Sequence, residues 1–210
     1  MLDGVMRQIV GPGLDRAGLV LARRGARPDT ISYLGLAAGL VAAALIALGW
    51  PAWTAIPPLL LGRLADGLDG AVARARGLSD WGLSDWGGYL DIVCDMIFYA
   101  AIPLAFVIRD ADANGLAGAF LLATFYINGA TFLGYAALAA KAGLQTTRRG
   151  IKTLYFTAGL LEGTETIAFF VFICLWPTAF PTAAAIFGIL CLVTALSRIL
   201  NARAVFGPMR

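Results

Sequence analysis

The chain has 210 residues, of which 60% are hydrophobic and only 14% charged, with a formal net charge of +3 and no histidine. Its mean hydropathy of +0.79 lies far above the balance of a soluble domain. A soluble globular protein is thereby excluded, and so are histidine acid–base chemistry and histidine–metal sites.

Residues 1–29 form a juxtamembrane segment. They begin with charge and hold no apolar run before Arg23-Arg24, so no cleavable signal peptide is expected. Gly11-Pro12-Gly13 predicts a break. After it, Leu14, Ala17, Val20 and Leu21 share one side against Arg16, Arg23 and Arg24, which predicts an amphipathic helix on the membrane surface. Arg27-Pro28-Asp29-Thr30 is a helix start, with Asp29 or Thr30 expected as N-cap.

Three runs, 31–62, 113–140 and 166–197, contain no Asp, Glu, Lys or Arg. Each exceeds the roughly 20 residues that span a bilayer. Trp50-Pro51-Ala52-Trp53, Trp176-Pro177 and Phe180-Pro181 mark interfacial turns. Spans are expected at about 31–50, 54–76, 86–108, 115–140, 153–175 and 181–201. The fold class is an all-α membrane protein, a single domain over 1–210 with a six-helix bundle over 31–201. Of the 16 basic residues, 14 fall on one side of that arrangement. They comprise five before the first span, Arg74 and Arg76, then Lys141, Arg148, Arg149 and Lys152, then Arg198, Arg203 and Arg210. The positive-inside rule puts both termini and the 66–95 connection in the cytoplasm. Cys94, Cys174 and Cys191 sit in apolar segments and read as small hydrophobes.

The unusual stretch runs from Asp66 to Asp95. Asp66 and Asp69 are three apart, Asp91 and Asp95 four apart, so on helices each pair shares a face with Cβ atoms about 5–6 Å apart. Side by side, two such helices converge four carboxylates, which repel unless protonated or bridged by cations. A divalent-metal site makes physical sense of them. Asp69 lies roughly 8–10 Å, and Asp91 and Asp95 roughly 8 and 14 Å, inside the cytosolic ends of their spans. Glu162 and Glu165 fall near the level of Asp95. Pairing with Arg63 and Arg74 is the structural alternative, but two cations cannot neutralise six anions. Arg63, one turn before Asp66, is placed to orient it. Gly67, Gly70 and Ala73 recur every third residue, which suits a ligand approaching the backbone or close helix packing.

These residues resemble the signature of the CDP-alcohol phosphatidyltransferases, Asp-x2-Asp-Gly-x2-Ala-Arg-x8-Gly-x3-Asp-x3-Asp. Asp66, Asp69, Gly70, Ala73, Arg74, Gly87, Asp91 and Asp95 fill each fixed position. The departure is the spacer between Arg74 and Gly87, twelve residues instead of eight. The excess coincides with a tandem repeat, Leu78-Ser79-Asp80-Trp81-Gly82 and Leu83-Ser84-Asp85-Trp86-Gly87. Asp80 and Asp85 are read as loop acids.

The resemblance implies transfer of a substituted phosphate from a CDP-linked donor to an alcohol, with release of CMP, in phospholipid synthesis. It implies two divalent ions, Mg²⁺ or Mn²⁺, the first on Asp66, Asp69 and Asp91 and the second on Asp66, Asp91 and Asp95. Asp95 is the implied general base; without histidine, a carboxylate fills that role. Asp66, Gly67, Asp69, Gly70, Ala73 and Arg74 would bind the nucleotide. Arg148, Arg149 and Lys152 would bind phosphate of donor or acceptor, or set topology. Glu162 and Glu165 would recognise the acceptor, two acids there favouring a cationic or polyhydroxy alcohol over an anionic one. The expected partners are CDP-diacylglycerol or another CDP-alcohol, a small polar alcohol, membrane lipid and a second copy in a homodimer, in a bacterial inner membrane. The reverse polarity, a CDP-aminoalcohol donor and diacylglycerol acceptor, shares the signature; the compact chain favours the former. A cation-coupled transporter would place its acids at the midplane between paired repeats, which this chain lacks. Nucleic-acid binding has no basic–aromatic face to support it.

Overall fold

Proline, glycine and tryptophan set the helix ends of the chain, whose computed structural model describes residues 3–77, 85–143, 161 and 163–207. Among the described residues there are helices and no strands. Helix α1 covers Asp3–Arg23. It runs unbroken through Gly11-Pro12-Gly13, contrary to the expected break. Pro12 and Gly13 are exposed, so the carbonyl that Pro12 leaves without a partner can be hydrated. Gly25 then turns the chain at φ +83°. Arg27, extended at φ −95° and ψ 133°, is the N-cap of α2 (Pro28–Ala47). Neither Asp29 nor Thr30 caps it, because Pro28 is already preset for the first helical position.

Gly49 at φ +80° ends α2, and a 3₁₀ turn over Ala52–Ala55 leads into α3 (Ile56–Ala75). Then follow α4 (Asp85–Arg109), α5 (Ala111–Lys141), α6 (Gly163–Leu175), a 3₁₀ turn at Pro177–Ala179 and α7 (Phe180–Phe206). The turns fall at the two Trp-Pro sites expected of them. Four segments, Pro28–Ala47, Trp86–Arg109, Ala111–Lys141 and Pro177–Phe206, are long and apolar enough to cross a membrane. Helix α3 has 20 residues but carries Arg63, Asp66, Asp69 and Arg74, and α6 as described has 13. Most of the first half of the expected fifth span lies outside the described residues.

Hydrogen bonds sort the helix ends. Arg109 at the end of α4 donates to Trp50 O just beyond α2, at 2.5 Å. At the opposite end, Trp86 Nε1 donates to Asp29 Oδ2 at 3.2 Å, and Arg76 to Ala26 O at 3.0 Å. So α2 and α4 run in parallel with α3 returning between their ends. Helix α1 lies against α3, with Leu14 on Gly67 and Gly18 on Ala71. Leu14, Gly18 and Leu21 face the bundle, while Ala17 and Val20 of the expected apolar stripe are exposed. Docking on α3 chose a narrower face than the sequence stripe suggested.

The core is aromatic: Phe106 stacks on Phe180 at 4.7 Å between centroids, and Phe169 on Phe187 at 4.3 Å. The three cysteines are buried free thiols. Between α2 and α3 the seam is glycine, and a Cβ placed on Gly62 would come 2.8 Å from the Gly35 carbonyl oxygen. This closeness holds Ser32 of α2 over the acids of α3.

Candidate active site

The 3.6-residue period turns Asp66 and Asp69 to one side of α3, and Asp91 and Asp95 to one side of α4. In the fold these four carboxylates line one cavity of about 20 Å³, beside Ser32, Arg63 and Cys94. That is room for about one water-sized guest. Asp69 is buried at 5% exposure, and the Ser32 hydroxyl donates to its Oδ2. Arg63 spans the gap between the helices. Its Nη2 meets Asp66 Oδ2 at 2.6 Å and its Nη1 meets Asp95 Oδ1 at 2.5 Å. The guanidinium lies 5.7 Å from the Phe98 ring centroid and 5.8 Å from that of Tyr99. Arg63 thus orients Asp66, as its position one turn earlier suggested, and also Asp95, which that spacing did not reveal.

The donor set is all carboxylate and hydroxyl oxygen, which suits a hard cation such as Mg²⁺ or Mn²⁺. Among the described residues, no three acidic or thiol side chains are closed around a point as a bound ion would close them.

A second cavity, of about 850 Å³ as bounded by the described residues, opens on Arg63, Asp91 and Asp95. Its walls are mostly apolar, from α4, α5, α6 and α7, with Asn128, Thr166 and Arg198 among the polar groups. The acid cluster is therefore a small polar pocket at the edge of a lipid-sized apolar space.

The other sequence candidates divide. Gly67 and Arg74 are engaged by α1, Gly67 by Leu14 and Arg74 by Asp15 at 2.9 Å. Close packing is realised at Gly67. Gly70 stands open, with only the Arg74 side chain near the position of a Cβ, and Ala73 is buried. Glu165 lies in the first turn of α6. Arg148, Arg149, Lys152, Glu162 and Asp80 lie outside the described residues, and of Asp85 only the backbone, at the start of α4, is described.

Arg198 was read as a topology charge and proves to be a wall of the larger cavity. It is only 7% exposed. Its Nη1 donates to Asn128 O and Oδ1 at 3.0 and 2.9 Å and to Thr131 Oγ1 at 3.0 Å. Its Nε finds no partner among the described residues. The available signal was its place inside the last span, where a charge is expensive and functional by default. Ser32, a lone hydroxyl in an apolar run, gave no signal.

A family model described as CDP-alcohol phosphatidyltransferase matches residues 26–197. The chain is 43% identical over 199 residues to the inner membrane protein YnjF of Escherichia coli, covering 95% of this chain and 94% of that one. It is 40% identical over 83 residues to a phosphatidylinositol phosphate synthase of Mycobacteroides abscessus, 39% of this chain and 36% of that protein. Among solved structures, the phosphatidylinositol phosphate synthase PgsA1 of Mycobacterium tuberculosis with CDP-DAG bound has a TM-score of 0.69 at 24% identity, covering 94% of this chain and 98% of that one. Its complex with manganese and citrate gives 0.69 at 23% identity, with 94% and 93% covered. The overall fold is shared with these structures.

Proposed function

The chain belongs to the CDP-alcohol phosphatidyltransferases, membrane enzymes of phospholipid biosynthesis, and from that membership we propose that it transfers a phosphatidyl group from CDP-diacylglycerol to a small polar alcohol, releasing CMP. The observation that carries this reading is the joining of the two cavities at Arg63, Asp91 and Asp95. A donor pyrophosphate needs cation-holding carboxylates at its side, and a diacyl donor needs the apolar space beside them.

In this reading Asp66, Asp69 and Asp91 hold a divalent ion, with Ser32 fixing Asp69. Such an ion supplies charge neutralisation on the donor pyrophosphate. Gly70 leaves the face of α3 beside Asp66 open to the nucleotide, and Ala73 continues that face. Asp95 accepts the proton of the acceptor hydroxyl as its oxygen attacks the donor phosphorus; CMP leaves with the broken phosphoanhydride electrons. Arg63 holds Asp95 at the boundary of the two cavities. The manganese in the M. tuberculosis complex, and CDP-DAG in its companion structure, support these ligand classes here.

Arg198 refines the acceptor. A buried guanidinium that lines the larger cavity suits an alcohol that also carries an anionic group. The similarity to phosphatidylinositol phosphate synthases supports the same class. Arg148, Arg149, Lys152, Glu162 and Glu165 keep their proposed part in acceptor or phosphate recognition. Six spans, a cytoplasm-facing site in a bacterial inner membrane and a homodimer belong to the same reading.

The test is CMP release in liposomes with CDP-diacylglycerol and Mg²⁺ or Mn²⁺ across glycerol 3-phosphate, inositol phosphate, inositol, serine, choline and ethanolamine. Release with a phosphorylated alcohol is the expected result. Release only when a CDP-aminoalcohol is paired with diacylglycerol would reverse the polarity. Ser32→Ala is expected to weaken Mn²⁺ binding and transfer together by about tenfold, because an outer-shell partner of a ligand is removed; a Mn²⁺ titration checks it.

A further inference from the structure

We propose that Asp15 of α1 is a positioning residue of the donor site, one that holds the Arg74 guanidinium over the open face of Gly70. The inference rests on the donor reading above and makes a helix that precedes the first span part of the nucleotide subsite. Asp66, Gly70 and Arg74 follow one another at four-residue steps along α3, so they share one face. A nucleotide whose phosphates meet the carboxylate end of that face runs over Gly70 toward Arg74.

Arg74 is a long side chain in the last turn of α3, and 47% of it is exposed. Such a side chain has many rotamers, and a ligand that uses it must first order it. Asp15 supplies that order in advance: its Oδ1 accepts from Arg74 Nη2 at 2.9 Å. The other terminal nitrogen, Nη1, lies 3.5 Å from where a Cβ on Gly70 would stand. One arm of the guanidinium fork is tied to α1, and the other lies over the open helix face.

Asp15 is held in turn by the docking of α1. A Cβ on Gly18 would come 2.8 Å from the Ala71 carbonyl carbon, and one on Gly67 would come 2.8 Å from Leu14 Cδ1. Leu14 and Gly18 bracket Asp15 in the sequence, so its backbone sits at a seam with no room to slide. Stability is a poor account of the bond to Arg74. The two side chains are 47% and 59% exposed, and an exposed ion pair adds little to folding. An ordered guanidinium beside an open helix face suits an anionic ligand instead.

The experiment measures binding of radiolabelled CMP, with Mn²⁺ present, to the full-length protein in nanodiscs, so that no acceptor need be known. Asp15→Asn is expected to weaken CMP binding about threefold to fivefold, and Asp15→Glu to restore it. The melting temperature of the Asp15→Asn protein is expected to match that of the wild type. In an Arg74→Gln protein, adding Asp15→Asn is expected to change nothing further, since the group through which Asp15 acts is gone. In turnover the same loss falls on the donor KM and spares kcat. Unchanged CMP affinity in Asp15→Asn would overturn the inference. So would tighter binding, which would make Asp15 a competitor of the nucleotide for Arg74, and so would a loss that persists in the Arg74→Gln background. If the wild type binds no CMP, the donor reading fails and takes the inference with it.

Discussion

Asp95→Asn is expected to lower CMP release by about 10³-fold or more while leaving the protein folded. The substitution keeps size and removes one charge. It takes away the group proposed to accept the hydroxyl proton, and an amide oxygen is no base near neutral pH. It also turns the Arg63–Asp95 ion pair into a neutral hydrogen bond, so the guanidinium keeps one charged carboxylate partner where it had two. The two effects separate in kinetics. Loss of the base lowers turnover at saturating donor, whereas a misplaced Arg63 raises the donor KM. A loss carried mainly by turnover supports Asp95 as the base. A fall of only a few-fold would move that role to another cluster carboxylate, with Asp91 next because it borders the same two cavities.

Gly62→Val is expected to cost about 2–3 kcal/mol of stability and most of the activity. A Cβ on Gly62 meets the Gly35 oxygen at 2.8 Å, and that oxygen is backbone, so no rotamer relieves the clash. Helices α2 and α3 must part. In a bilayer such seams rest on close approach, since lipid offers no hydrophobic gain for closing them. The first bond to open is that of Ser32 to Asp69, which crosses the seam one turn away. Thermal unfolding in detergent with a tryptophan or thiol probe measures the cost. Gly115→Ala on α5, where nothing lies near the added Cβ, is the control and should be neutral or slightly stabilising. Equal melting of the two variants would remove the seam from the account.

The four carboxylates were legible because they lie at helical spacings within otherwise apolar segments, and only a shared face makes sense of that. Arg63 was half legible. Its bond to Asp66 follows from a three-residue separation, but its bond to Asp95 crosses between helices 32 positions apart, which no local spacing encodes. The burial of Arg198 was not legible, because nothing local separates a buried span end from a wet one. Pro12 was misread for the converse reason: a local breaking rule yields where the interrupted turn is exposed. Gly67 fitted ligand approach and close packing equally until Leu14 was seen to fill the space. The tryptophan–proline turns were legible outright, since proline fixes the helix start and tryptophan the interface.

The glycine seam has a consequence for traffic. With Gly35 and Gly62 in backbone contact, no acyl chain fits between α2 and α3. The small-residue wall therefore closes one flank of the carboxylates to lipid. The larger cavity lies on the other flank, among α4, α5, α6 and α7. On the proposed reading, a diacyl donor would enter sideways from the bilayer on that flank and keep its tails there through turnover, so the lipid product would depart by the door its precursor used.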